Sequence, residues 1–338
     1  MQSTKKILIV APSWVGDLVM AQSLFKILKN RTPDIELHVL ALQNLHPLLE
    51  RMPEVDKILL WPFRHGELNL IGRFRLGRSL KSENYSQAII LPNTLKSALV
   101  PFFANIPKRT GWRGEMRFFL LNDLRILYPF ILVKMLERYV QLGLPHDEPL
   151  PQIIPWPKLE ISTAAQKAVL NRLGLEKPEK IVALCPGAEY GPAKRWPAKY
   201  FAEIAKTFAA KDYAIWIFGG PNDQLVAKEI QTLSKIPCID LTGKTTLGEA
   251  ADLLSLAKIA ITNDSGLMHV AAAVDCHVFA IYGSSSCNYT PPLSKKAKII
   301  SLHLPCSPCF QKKCPFGHYH CLENLTPEKV LAAIEEIA

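Results

Sequence analysis

Three short stretches hold the residue types from which group-transfer chemistry could be built. PSWVGDLVM (12–20) follows an apolar run and carries Ser13, Gly16 and Asp17. A carboxylate where a strand turns into a helix is either a first-turn acid favoured by the helix dipole or a general base facing a cleft. CPGAEYGPAKRWP (185–197) sets Lys194 and Arg195 in a loop that Gly187 and Gly191 allow close to a ligand, where a cation can meet a phosphate. ITNDSGLMHVAAA (261–273) runs from apolar residues through Asp264, Ser265 and Gly266 into a small-residue helix with His269 in its first turn. The N–H groups at such a helix start can accept a phosphate without a metal. Asp264 would repel an adjacent phosphate, so it is expected to cap the turn or contact a hydroxyl, while His269 can donate to a phosphate or sugar oxygen. FGGPND (218–223) adds Asp223 as a candidate for a ribose hydroxyl. The plainer alternative is that these residues only cap helices and ease turns.

The elements needed to position these residues are legible around them. KILIVAP (6–12), ELHVLAL (36–42), KILLWP (57–62) and QAIILP (87–92) are continuous apolar runs separated by helical segments, the pattern of buried parallel strands. A proline-rich stretch with Pro145, Pro149, Pro151, Pro155 and Pro157 follows, and then a polar helix near 161–173. The pattern restarts with KIVALCPG (180–187), AIWIFGG (214–220), CIDLTG (238–243), KIAITND (258–264) and HVFAIYG (277–283). The fold class is therefore α/β, with Rossmann-like domains at 1–155 and 156–338 and the chemistry in the loops after the strands. A length of 338 residues suits two domains. No GxGxxG follows the first strand of either half and no GxxxxGK[ST] occurs, which weighs against NAD-type and P-loop nucleotide binding.

The net charge of +10 suits an anionic partner: nucleic acid, an acidic membrane surface or a phosphorylated substrate. Cations are dense between Arg64 and Arg125. The longest apolar stretch, 126–144, is interrupted by Lys134, Glu137 and Arg138 and falls short of the roughly 20 apolar residues a membrane span needs. With no signal-peptide pattern at the start, the expected location is cytoplasmic. CSPCFQKKCPFGHYHC (306–321) holds Cys306, Cys309, Cys314 and Cys321, four of the eight cysteines. Disulfides are disfavoured in a reducing cytosol and the spacing departs from CxxC…CxxC. No metal is therefore assigned, and reduced thiols ordering a loop are expected, with a structural zinc at these four cysteines as the lesser alternative.

Taken in order, PSWVGDLVMAQSLF, PLLERMPEV, LPNTLKSALVPFFANIPKRTGWRGEMRFFLLND, CPGAEYGPAKRWP and TNDSGLMHVAAA resemble the ADP-heptose:lipopolysaccharide heptosyltransferases over nearly the whole chain. The block at 91–123 resembles the type II branch more than type I. The resemblance implies a GT-B fold, two Rossmann-like domains whose parallel sheets face a central cleft, and a helix at 326–338 able to pack back on the first domain. It implies inverting, metal-independent transfer of L-glycero-D-manno-heptose from ADP-heptose to the first heptose of the lipopolysaccharide inner core. Asp17 would be the base and Lys194 would face the donor phosphates. Ser13, Gly16, Gly187, Asp223, Asp264, Ser265, Gly266 and His269 would lie at the donor, and Lys96, Arg113 and Arg117 at the acceptor. The implied partners are ADP-heptose, the inner-core acceptor and, peripherally, the anionic inner face of the inner membrane, with no nucleic acid and no cofactor. YGSSSCN (282–288) departs from the pattern, since relatives more often have proline after the glycine. The alternatives are a nonenzymatic nucleotide- or anion-binding protein of the same fold and a transferase using another nucleotide sugar.

Overall fold

The structure, a computed structural model, describes residues 5–64 and 66–336. The chain divides into two compact units, Met1–Pro157 and Lys158–Ala338. The first contains β1 (Lys6–Val10), α1 (Val15–Arg31), β2 (Glu36–Ala41), α2 (His46–Leu49), β3 (Lys57–Leu60), α3 (Leu70–Leu80), β4 (Gln87–Ile90), α4 (Leu95–Phe103), β5 (Lys108–Trp112), β6 (Asp123–Arg125) and α5 (Met135–Gly143). The second contains α6 (Thr163–Leu173), β7 (Ile181–Cys185), α7 (Ala198–Ala209), β8 (Ala214–Ile217), α8 (Gln224–Ser234), β9 (Cys238–Asp240), α9 (Leu247–Leu254), β10 (Ile259–Asn263), α10 (Gly266–Ala273), β11 (His277–Ile281), β12 (Ala297–Ile300), α11 (His320–Glu323) and α12 (Pro327–Glu335).

Each unit has a six-stranded parallel sheet, ordered β3-β2-β1-β4-β5-β6 in the first and β12-β11-β10-β7-β8-β9 in the second. Counted from its own first strand, each unit has the doubly wound order 3-2-1-4-5-6. β1 lies between β2 and β4, in register Ile7↔Leu37 and Ile7↔Gln87. β7 is likewise flanked by β10 and β8. A strand covered on both faces is apolar at its buried positions, which is why ILIV of β1, after Lys6 at its half-exposed start, and IVALC of β7 read as uninterrupted runs. Winding reverses between β1 and β4 and between β7 and β10, so the loops after these strands open a crevice at the carboxyl edge of each sheet.

β5, β6 and β12 lie outside the strands expected from the sequence. KRTGW and DLR lack the apolar run because β6 is an edge strand and β5 its neighbour, with Arg109 and Arg125 serving hydrogen bonds. The helix expected at 326–338 forms as α12. Val330, Ala333 and Ile334 of α12 enter the second unit's core with Phe201, Phe208 and Ile300. Residues 337 and 338 of that expected helix lie outside the described residues.

Candidate active site

In the second unit Gly187 and Lys194 follow β7, and Asp264, Ser265, Gly266 and His269 follow β10, the two strands flanking the reversal point. Asn263, at the end of β10 and wholly buried, organises the two loops. Its Oδ1 accepts from the Trp196 N–H at 3.0 Å and its Nδ2 donates to the Pro186 carbonyl at 2.6 Å. One side chain thus fastens both ends of the 186–196 loop. The buried Trp196 indole donates to the Leu325 carbonyl at 2.7 Å, a second tie for the same loop.

Lys194, which this loop carries, places Nζ 2.5 Å from Asp264 Oδ2 and 5.1 Å from the centre of the Tyr190 ring. The Ser285 hydroxyl donates to the same Asp264 oxygen. Of the two roles expected of Asp264, capping the turn is not the one it takes: Ser265 holds the N-cap position of α10 and makes no side-chain capping bond, and Asp264 turns to Lys194 and to the Ser285 hydroxyl. A carboxylate only 5% exposed is stabilised by a cation and a donor hydroxyl, and both are supplied. His269, buried behind them, has its pKa pushed down to about 4 by burial, with Asp264 opposing and Lys194 reinforcing the shift. The imidazole is therefore neutral near pH 7. Asp223 follows β8 and accepts from the Gly220 N–H at 2.9 Å. Burial raises its pKa, with Gly220 and Arg195 opposing. A Cβ at Gly187 would stand 2.3 Å from Asp223 Oδ2, so the glycine makes room for that carboxylate.

In the first unit Ser13, Gly16 and Asp17 lie where β1 passes into α1, with Ser13 exposed, Gly16 buried and Asp17 a first-turn acid. Lys96 lies in the first turn of α4, after β4 on the neighbouring strand, and Arg113 is exposed just after β5. Arg117 does not join them. It is 1% exposed, and its guanidinium donates to the carbonyls of Pro92 at 2.7 Å and Trp112 at 2.5 Å and to Asn93 Oδ1 at 3.3 Å. Burial lowers its pKa to about 10. The expectation of direct acceptor contact does not fit this burial, in which the Nη groups are spent on neighbouring carbonyls and Asn93. Arg73, also buried, does the same from α3, donating to the Lys96 carbonyl at 3.0 Å.

The cysteine-rich segment braces the Lys194 loop. Ala193 N–H donates to the Lys312 carbonyl at 3.1 Å, Phe310 N–H to Ser284 at 2.7 Å, and the Tyr190 hydroxyl to the Phe310 carbonyl at 2.6 Å. Cys306, Cys309, Cys314 and Cys321 are free thiols lining one cavity of about 10 Å³ with Ser284 and His318. Among the described residues no group of three or more His, Cys, Asp or Glu side chains is placed to hold a metal. Asn263 and Ser285 were not singled out from the sequence. Asn263 lay within the polar strand end, but nothing in the sequence marked it as the buried member.

Comparison with known proteins adds identity to this geometry. The profile of Glycosyltransferase family 9 (heptosyltransferase) matches residues 73–320. The chain is 42% identical to lipopolysaccharide heptosyltransferase 2 of Salmonella typhimurium, covering 98% of each chain. It is 43% identical to lipooligosaccharide heptosyltransferase 2 of Haemophilus influenzae, covering 98% of this chain and 99% of that one. The solved structure of Escherichia coli ADP-heptose lps heptosyltransferase II superposes with a TM-score of 0.87 at 40% identity, covering 98% of this chain and all 100% of the other.

Proposed function

The chain belongs to glycosyltransferase family 9, and from that premise we propose that it moves L-glycero-D-manno-heptose from ADP-heptose to the first heptose of the lipopolysaccharide inner core. The observation that carries this reading is the Lys194 ammonium, held by buried Asp264 at the N-terminus of α10. Such a place binds a diphosphate through backbone N–H groups, helix dipole and cation together.

The reaction follows from the roles these groups suit. Asp17 takes the proton of the acceptor hydroxyl as that oxygen bonds to the anomeric carbon, a step for which a positioned base contributes roughly 10²–10⁴-fold. The bond from the anomeric carbon to the diphosphate oxygen breaks on the opposite face, inverting the centre, and ADP leaves with the electron pair. Lys194 and the first turn of α10 stabilise the departing charge by preorganised electrostatics. Asp264 lies beneath Lys194 and holds the ammonium in place while the diphosphate meets its other side. Neutral His269 supplies a hydrogen bond without adding charge. These groups stabilise the leaving diphosphate from the chain's own positive potential, so no metal is assigned to it. Gly187 and Asp223 border the nucleoside, Ser13 and Gly16 the transferred sugar, and Lys96 and Arg113 the phosphorylated acceptor. The acceptor is lipid-linked, so the chain works in peripheral contact with an anionic membrane; no helix among the described residues is long and apolar enough to cross one.

The test is incubation with ADP-heptose and a core acceptor truncated after one heptose, followed by mass analysis. One added heptose and one released ADP per turnover are expected. ADP-heptose binding with no product would favour the nonenzymatic reading, and product only with another nucleotide sugar would change the donor.

A further inference from the structure

Large apolar side chains in full contact with water are usually scattered, and a contiguous group of them marks a contact surface. Here they gather on the loops after β5 and β6. Phe130 is 98% exposed, Phe119 91%, Met116 81% and Ile131 74%. No charged residue interrupts ILYPFILV at 126–133, and Lys134 follows it.

These side chains stand on anchored loops. Buried Arg117 pins the first loop to the Trp112 carbonyl, and the Leu121 N–H returns to Arg117 at 3.2 Å. Buried Leu132 anchors the second loop, its N–H donating to the Tyr128 carbonyl at 3.0 Å and its carbonyl accepting from Arg138 at 2.9 Å. Both acids of 113–134 are engaged: Glu115 accepts from the Leu95 N–H at 2.7 Å, and Asp123 pairs with Arg125 at 3.1 Å. Arg113 and Lys134 are exposed cations at the start of the first loop and the end of the second, Lys134 lying 3.7 Å from Glu137, and Glu115 is the one exposed acid between them. β5 and β6 run parallel beside β4 and β1, so these loops leave the same sheet edge as Asp17 and Lys96.

We propose that the loops 113–121 and 126–134 form a membrane-docking face that seats Phe119 and Phe130 among the headgroups and upper acyl chains of an anionic bilayer. Aromatic and aliphatic tips flanked by cations have the composition of an interfacial anchor, and an overall charge of +10 favours an anionic surface over a neutral one. Docking there holds the reacting edge of the first sheet against the leaflet that carries a lipid-linked acceptor, a consequence that rests on the reading under Proposed function.

The test uses the full chain, co-sedimented with vesicles of phosphatidylethanolamine and phosphatidylglycerol and, separately, of phosphatidylcholine alone. Preferential binding to the anionic vesicles is expected. Phe119→Ser with Phe130→Ser should lower that partition by about tenfold or more, since each ring forfeits part of its burial. Thermal stability and turnover on a deacylated, water-soluble acceptor should be unchanged. Equal partition of wild type and variant overturns the proposal. So does self-association in light scattering that the variant abolishes without altering vesicle binding, which would make the occupant a second copy. A chain that glycosylates the soluble acceptor but ignores vesicles overturns docking alone; one that binds vesicles through these rings but forms no product overturns the reaction and leaves docking standing.

Discussion

Lys194 Nζ and Asp264 Oδ2 are 2.5 Å apart in a setting where the carboxylate is 5% exposed and the lysine side chain 18%. The pair joins the loop after β7 to the end of β10, so it belongs both to the architecture of the second sheet and to the charge that the site offers a ligand.

Separating these two roles needs a double variant. Lys194→Met leaves a buried carboxylate without its cation and should cost about 3 kcal/mol in urea denaturation. Adding Asp264→Asn should recover most of that stability while turnover stays low and ADP still binds more weakly relative to adenosine. Recovery of turnover along with stability would reduce Lys194 to a structural residue.

Asp17→Asn should lower turnover by about a hundredfold or more with ADP-heptose affinity retained, because an amide keeps the shape but cannot take the acceptor's proton. Near-wild-type single-turnover rates would remove Asp17 as the base.

The clamp formed by Asn263 should be visible without any substrate. Asn263→Ala deletes both bonds and strands the Trp196 N–H and the Pro186 carbonyl, a loss of roughly 2–3 kcal/mol. Amide hydrogen exchange should quicken across 186–196. Exchange that quickens equally throughout the unit would show global destabilisation and no specific hold on the loop.

Acid should destabilise the fold through His269. With the folded pKa pushed down to about 4 and the unfolded one near 6.5, the unfolded chain binds the extra proton between those values. The contribution is complete above pH 6.5 and is lost as pH falls toward 4, on the order of 3 kcal/mol in all. Buried His38, whose pKa burial also lowers, adds in the same direction. His269→Gln should flatten the dependence of melting temperature on pH in this window; an unchanged slope would assign it to other groups.

The central strands were readable because burial on both faces leaves an unbroken apolar trace, as in ILIV of β1 and IVALC of β7. β5 and β6 were not, because half-buried Arg109 and buried Arg125 are held in them by hydrogen bonds to carbonyls, which residue type does not reveal. The same limit separated Arg113 from Arg117. Two arginines four positions apart look alike in sequence, yet one faces water and the other is enclosed by carbonyls. Lys194 and Asp264 were each identifiable from strand ends, but their pairing was not, since it depends on the register that brings β7 beside β10.

The contact between Gly187 and Asp223 ties the histories of two positions separated by a strand and a helix. Any side chain at 187 would occupy the space of the Asp223 carboxylate, so Gly187→Ala evicts that group without touching its gene-encoded identity. Chemically, a change at 187 is a change at 223. Across descendants of this sequence a side chain at 187 requires the Asp223 carboxylate to move or to be replaced, so the two sites should covary.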